Sequence, residues 1–149
     1  MRSKTSIWFE TKYRYEKTME DGTQKKVTEQ YVVEAMSFGE AEAVIAQEMA
    51  AYVKGEADVR AVAIAPYTEV LLSDSDKDNK FYKVKVAFIT IDERNGKERK
   101  NSNIYLVQAP STAQAERYIK DYFAHTMIDY EVQAVKETQI IDLFEYHKA

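Results

Sequence analysis

The stretch from Trp8 to Leu72 is written a second time from Phe81 to Phe144. A shift of 74 places Gly22, Lys26, Tyr31, Val33, Ala35, Ser37, Ala41, Glu42 and Ile45 on Gly96, Lys100, Tyr105, Val107, Ala109, Ser111, Ala115, Glu116 and Ile119. These are nine identities where average composition gives about two by chance. On either side the offset is 73, with Trp8-Phe9 on Phe81-Tyr82, Lys12 on Lys85, Tyr15 on Phe88, and Val59, Ala61, Val62 on Val132, Ala134, Val135. A lone repeat of about 65 residues buries too little apolar surface to be robust, so the two halves of this 149-residue chain are expected to share a core. The expected fold is α+β, a tandem duplication of a ββαβ unit with pseudo-twofold symmetry. It has six main strands in antiparallel or mixed pairing and two helices packed on the sheet. One domain, 1–149, then consists of repeat one (7–72), a polar linker (73–80) and repeat two (81–144).

Within each repeat the hydrophobic period changes from strand to helix. Ile7, Phe9, Thr11, Tyr13 and Tyr15 alternate with Trp8, Glu10, Lys12 and Arg14, the pattern of a half-buried strand. Asp21-Gly22 marks a hairpin, and a second strand follows with Val27, Tyr31, Val33 and Ala35 facing the core. A three-residue loop Glu20-Asp21-Gly22 pairs Phe9 with Val33 and Thr11 with Tyr31. In the second copy a two-residue Asn95-Gly96 loop would pair Tyr82 with Ala109, Val84 with Val107 and Val86 with Tyr105, so the two turns are expected to differ.

Both hairpins lead into a capping box, Ser37-Phe38-Gly39-Glu40 and Ser111-Thr112-Ala113-Gln114. Ala41, Val44, Ile45, Met49 and Tyr52 form the apolar stripe of the first helix, which should end near Gly55. Ala115, Tyr118, Ile119, Tyr122 and Phe123 form that of the second. A third strand follows each helix, 58–64 and 131–135, and runs on into Tyr67–Leu72 and Ile140–Phe144, with a bend or edge at Pro66. A crossover helix returns the third strand beside the first, giving the order 2-1-3 within each repeat.

Several chemistries are disfavoured. The chain has no cysteine, which removes disulfides, thiolate metal sites and cysteine nucleophiles. Without an apolar leader or membrane-length run, cytoplasmic residence is the default expectation, with no membrane partner. Asp74-x-Asp76-x-Asp78 copies the start of a calcium loop, but Asn79 stands at the glycine position and Lys85 at that of the bidentate glutamate. His125 and His147 sit in no nucleophile or metal motif, and the four glycines are absorbed by turns and helix ends. Glu69 and Asp142 fall at matching repeat positions, a symmetric carboxylate pair better read as strand-end salt bridging. No catalytic, cofactor-binding or metal residue is assigned, and the chain is not expected to be an enzyme.

The segments Trp8-Phe9-Glu10-Thr11-Lys12, Tyr15-Glu16-Lys17-Thr18-Met19-Glu20-Asp21-Gly22 and Lys25-Lys26-Val27-Thr28-Glu29, with Ser37–Ala43 and Val135-Lys136-Glu137-Thr138, resemble the domain of unknown function 4494 family. These are small proteins of gut anaerobic bacteria and their phages. The resemblance covers almost the whole chain and implies no activity, cofactor or catalytic residue.

Two binding readings follow. Trp8, Val32, Phe81, Ile89, Ile91, Ile104 and Leu106 lie on the strand faces opposite the helices and are too apolar for a solvated surface. They point to a non-catalytic interaction module that self-associates or binds a protein partner. The alternative is a single-stranded nucleic-acid-binding accessory protein of phage or mobile-element origin. It would use Lys12, Arg14, Lys25, Lys26, Lys83, Lys85, Arg99 and Lys100 beside hairpin aromatics. The net charge of -4 gives that reading no global attraction to phosphate.

Overall fold

The structure is a computed structural model and describes residues 1–146. In chain order it contains β1 (Arg2–Lys4), β2 (Trp8–Thr18), β3 (Gln24–Glu34), α1 (Phe38–Ala50), β4 (Ala57–Ile64), β5 (Tyr67–Leu72), β6 (Lys80–Ile91), β7 (Glu98–Ala109), α2 (Thr112–Phe123), β8 (Tyr130–Glu137) and β9 (Ile140–Phe144). The architecture is α+β, two helices with two mixed sheets. The chain forms two compact units. The five-stranded unit joins Met1–Thr5 to Tyr67–Thr138 in the strand order β1-β5-β7-β6-β8. The four-stranded unit joins Ser6–Pro66 to the segment from Gln139 onward in the order β4-β2-β3-β9.

In the four-stranded unit, period-2 alternation sends Phe9, Tyr13, Tyr31, Val33 and Ala35 to one side of the sheet. There they meet Ala41, Ile45 and Met49 of α1. In the five-stranded unit the matching core is Tyr82, Val84, Val86, Tyr105, Val107 and Ala109 against Ala115, Ile119 and Phe123 of α2, with Leu71 of β5. The order 2-1-3 within each ββαβ segment is found, with β2 between β3 and β4 and β6 between β7 and β8. Tyr52 is exposed and lies beyond the end of α1. The helix stops at Ala50 with the C-cap residue Ala51 in right-handed backbone, so Gly55 with φ 103 shapes the following loop and not the helix end.

The expectation of six main strands is corrected to nine. Tyr67–Leu72 and Ile140–Phe144 are separate strands, because the ladder of each third strand ends at a fixed point. The Ala65 N–H donates to the Trp8 carbonyl (2.8 Å) and the Thr138 N–H to that of Phe81 (3.0 Å). Pro66 then has no N–H to continue with. β5 runs parallel to β7 in the five-stranded unit, and β9 runs parallel to β3 in the four-stranded one.

Registers match between the sheets at offsets of 73 and 74. Thr11↔Tyr31 corresponds to Val84↔Tyr105, Phe9↔Ile64 to Tyr82↔Glu137, and Tyr31↔Asp142 to Tyr105↔Glu69. Register shifts also coincide, after Lys12 in one sheet and after Lys85 in the other. Even one side-chain tether recurs. The Ser73 N–H donates to Gln108 Oε1 (2.9 Å) and the Tyr146 N–H to Glu34 Oε1 (2.7 Å).

The hairpin turns do differ. The first has the expected three-residue loop, closed by the Met19 N–H to the Thr23 carbonyl (2.7 Å), with Gly22 at φ 84. The second is not the two-residue turn expected from Asn95-Gly96. Its ladder closes at Asp92 and Lys97, so Tyr82 faces Val107 and Val84 faces Tyr105, two residues from the expected register. A two-residue type I′ turn needs positive φ at both central residues, and Asn95 does not adopt it. Instead Asp92 Oδ1 accepts from the Arg94 N–H and Asn95 Oδ1 from the Lys97 N–H, both at 2.9 Å, which holds a four-residue loop. A slip of two keeps every side chain on its expected face.

Ser37 and Ser111 are N-caps, with extended backbone and Oγ accepting from the Glu40 and Gln114 N–H groups at 3.1 Å. The capping box is only half made at Ser37, where Glu40 Oε1 is buried without a hydrogen-bond partner. Ser37→Ala and Ser111→Ala are each expected to cost about 1 kcal/mol, read from urea midpoints at unchanged m-value.

Candidate interaction surfaces

The seven apolar residues of the candidate partner face separate into groups. Trp8, Val32, Phe81 and Leu106 are 3% exposed or less, so within the chain they behave as core and are not available as surface. The Trp8 indole N–H has no hydrogen-bond partner among the described residues. Ile89 and Ile104 are half-buried, and only Ile91 stands out at 68%.

The exposed apolar surface that sequence reasoning missed lies in the four-stranded unit, around the buried ring of Phe9. Phe38, the first residue of α1, sets its ring edge-on to Phe9 at 5.2 Å. Ile64, the last residue of β4, is the cross-strand partner of Phe9. Ile7 precedes Trp8 and accepts the Ala35 N–H, and Met36 follows Ala35. Ile7, Met36, Phe38 and Ile64 are 45, 75, 52 and 61% exposed. The corresponding positions of the five-stranded unit hold Lys80, Pro110, Thr112 and Glu137, where Lys80 and Glu137 form an ion pair at 3.1 Å. In the sequence, the repeat offset sets two of the four, Ile7 and Ile64, against charged residues, Lys80 and Glu137.

The eight basic residues are divided between the units, four in each. Arg99 is paired with Asp92 (3.1 Å) and Lys100 with Glu131 (3.0 Å), while Lys83 sits 5.8 Å over the Tyr67 ring. Lys85 is exposed on β6. In the four-stranded unit Lys12, Arg14 and Lys26 share a face with Glu10 and Glu16, and Lys25 lies opposite Lys17 on the other face. A groove of about 390 Å³ at the end of that sheet is lined by Arg14, Lys26 and Arg60 but also by Glu16, Glu56 and Asp58. Arg60 is paired with Asp58 (3.1 Å). Cations alternating with carboxylates give a mixed field and no phosphate track.

The remaining polar clusters hold structure together. Asp78 is 4% exposed and accepts from the Ser73 hydroxyl and, at 3.0 Å, from the Tyr118 hydroxyl, so this part of the acidic run is anchored and not solvated. Burial first, then the Asp78 hydrogen bond, raise the Tyr118 hydroxyl above its ordinary pKa. Glu69 accepts from the hydroxyls of Thr5 (2.9 Å) and Tyr122, in place of the expected salt bridge. Burial and then the Glu69 hydrogen bond likewise raise Tyr122. Asp142 Oδ1 accepts the Leu143 N–H at 2.8 Å. Tyrosines held protonated in this way are hydrogen-bond donors and poor bases near neutral pH. His125 is exposed past the end of α2, and His147 lies outside the described residues. Among the described residues no three acidic or imidazole side chains converge as metal ligands. None of the helices there is long and apolar enough to cross a membrane.

No curated protein matches the chain. A family model described as a domain of unknown function, DUF4494, matches residues 7–146, from just before β2 to just past β9. With that match covering nearly its whole length, the chain belongs to the domain of unknown function 4494 family.

Proposed function

We propose that the protein is a non-catalytic interaction module built by tandem duplication of a ββαβ unit, and that it self-associates through one unit. Duplication is supported by the shared strand orders, registers and tethers of the two sheets. The observation that carries the binding reading is the Ile7, Met36, Phe38 and Ile64 cluster, apolar and exposed where its counterpart is ion-paired. The five-stranded unit acts as an internal control: at three of the four positions the matching backbone carries polar residues, Lys80, Thr112 and Glu137, so the fold does not require apolar ones there. Large apolar side chains left exposed at one end of a sheet favour association. The sheet-face residues expected from sequence contribute at most through Ile91, Ile89 and Ile104.

Light scattering after size exclusion, over a range of protein concentration, tests the reading. The wild type is expected to associate. The double variant Phe38→Ser/Ile64→Lys is expected to be monomeric and still folded by circular dichroism, with stability lowered by about 1 kcal/mol through loss of the Phe38–Phe9 ring contact. A wild type that is monomeric throughout, or a double variant that associates equally, would defeat self-association through this cluster. Single-stranded nucleic-acid binding finds less support, since Arg99 and Lys100 already have carboxylate partners. Low-salt titration of an oligonucleotide would revive it if affinity fell steeply with added salt.

A further inference from the structure

β5 and β9 hold corresponding places, each parallel to the second strand of a hairpin, with the same register shift after the first pair. Their packing is unequal. Val70 and Leu71 of β5 are 1% exposed or less, while Leu143 and Phe144, their counterparts at the offset of 73, are only half-buried. Leu71 belongs to the helix-side core of its unit, whereas Phe144, stacked on Tyr31 at 5.7 Å, is a partly buried neighbour of the core in the other. The outer side differs too. β1 covers β5, and Glu69 accepts from the hydroxyls of Thr5 and Tyr122. Among the described residues no strand covers β9, and Asp142 accepts from the N–H of the residue next to it.

We propose that β9 is a latch on the edge of β3: it detaches in an opening that leaves α1 and the β4-β2-β3 sheet folded, whereas β5 leaves β7 only when its whole unit unfolds. Stability within a fold is set locally, and an element opens first where it buries least apolar surface and is paired on one side only. β9 meets both conditions and β5 neither. What remains after the opening is self-sufficient, because the buried core of the four-stranded unit, Phe9, Tyr13, Tyr31, Val33 and Ala35 against Ala41, Ile45 and Met49, contains no residue of β9. The end of the latch is fastened where the Tyr146 N–H donates to the buried Glu34 at 2.7 Å. Opening uncovers the face of the Tyr31 ring and the main-chain groups of β3 that β9 otherwise takes up, an edge that the closed molecule hides. The latch involves none of the residues in the Ile7, Met36, Phe38 and Ile64 cluster, and either proposal can fail alone.

Amide hydrogen exchange of the full chain, resolved residue by residue by NMR, tests this. Along 30–33 the N–H groups of β3 point alternately toward β9 and toward β2, and along 104–107 those of β7 point alternately toward β5 and toward β6. The β9-facing amides are expected to exchange about a hundredfold faster than the β2-facing amides of the same strand, while the two sets in β7 stay equally slow. Phe144→Ala, which removes the ring from Tyr31, should speed the β9-facing set about tenfold further and leave the other three sets as they were. Equal protection of the two sets in β3, or β5-facing amides in β7 that exchange as fast as the β9-facing ones, would overturn the latch. So would a Phe144→Ala chain in which all four sets speed up together, because β9 would then open only with the fold as a whole.

Discussion

Replacing Ile119 with alanine is expected to cost about 2–5 kcal/mol, the range for removing a fully buried branched side chain that leaves a cavity. Ile119 has no exposed surface and is enclosed by the β-sheet aromatics and valines of its unit, with Phe123 one turn further along α2. Ile45 holds the corresponding place on α1 among Phe9, Tyr13, Tyr31 and Val33, so Ile45→Ala should cost a similar amount. Against a total stability of roughly 5–15 kcal/mol, either change removes a large fraction. The protein offers a local probe, because Trp8 is its only tryptophan and belongs to the four-stranded unit. Urea unfolding followed by Trp8 fluorescence should register Ile45→Ala directly, and circular dichroism should register both variants. A shift below about 0.5 kcal/mol for either isoleucine would contradict this core.

The second large effect is alkaline unfolding. Burial, with the nearby Glu69 charge second, pushes the Tyr105 hydroxyl up to about 12. Burial, followed by a hydrogen bond with Glu29, does the same for Tyr15, also to about 12. Tyr31 moves in the same direction for the same first cause. In the unfolded chain these hydroxyls ionise near 10. Between those values the folded state holds more protons than the unfolded state, so stability falls as pH rises. The contribution is intact below about pH 10 and is lost progressively toward pH 12. For the buried Tyr105, ionising near 12 when folded and near 10 when unfolded, the loss amounts to a few kcal/mol. Tyrosinate absorbance should rise together with loss of circular dichroism, and Tyr105→Phe should flatten the stability curve in that window. If stability were level from pH 10 to 12, or Tyr105→Phe left its slope unchanged, these hydroxyls would not be buried.

Much of each unit is legible in the sequence because its signals are local. Serine followed three residues later by Glu or Gln marks both helix starts, and both caps are made. The Phe9 and Tyr31 alternation fixes a face and a register that the sheet keeps. The second turn is not legible, because Asn-Gly is compatible with more than one loop. The choice goes to the Asp92 and Asn95 side-chain hydrogen bonds, which leave the Asn95 backbone at negative φ. Of the seven partner-face residues four are buried and Ile91 is exposed, because a parity argument cannot say whether such a residue is covered by its own chain, as Trp8 and Leu106 are. The exposed cluster around Phe9 escapes sequence reading because Phe38 reads as a helix position and Ile64 as a strand end, and only the Phe9 ring and its pairing bring them together.

By itself, then, the sequence determined the ββαβ order, the helix caps, the core parity and the first hairpin, all set by contacts between residues near in the chain or by a period that sterics impose. Tertiary structure alone decided which sheet receives Tyr67–Leu72 and Ile140–Phe144. Each joins a strand parallel to itself in the unit formed largely by the other repeat. A parallel edge pairing carries no turn signal, and its partner is chosen by backbone hydrogen bonds that every residue but proline can make. The same freedom leaves β5 covered by β1 and β9 without a strand on its outer side among the described residues.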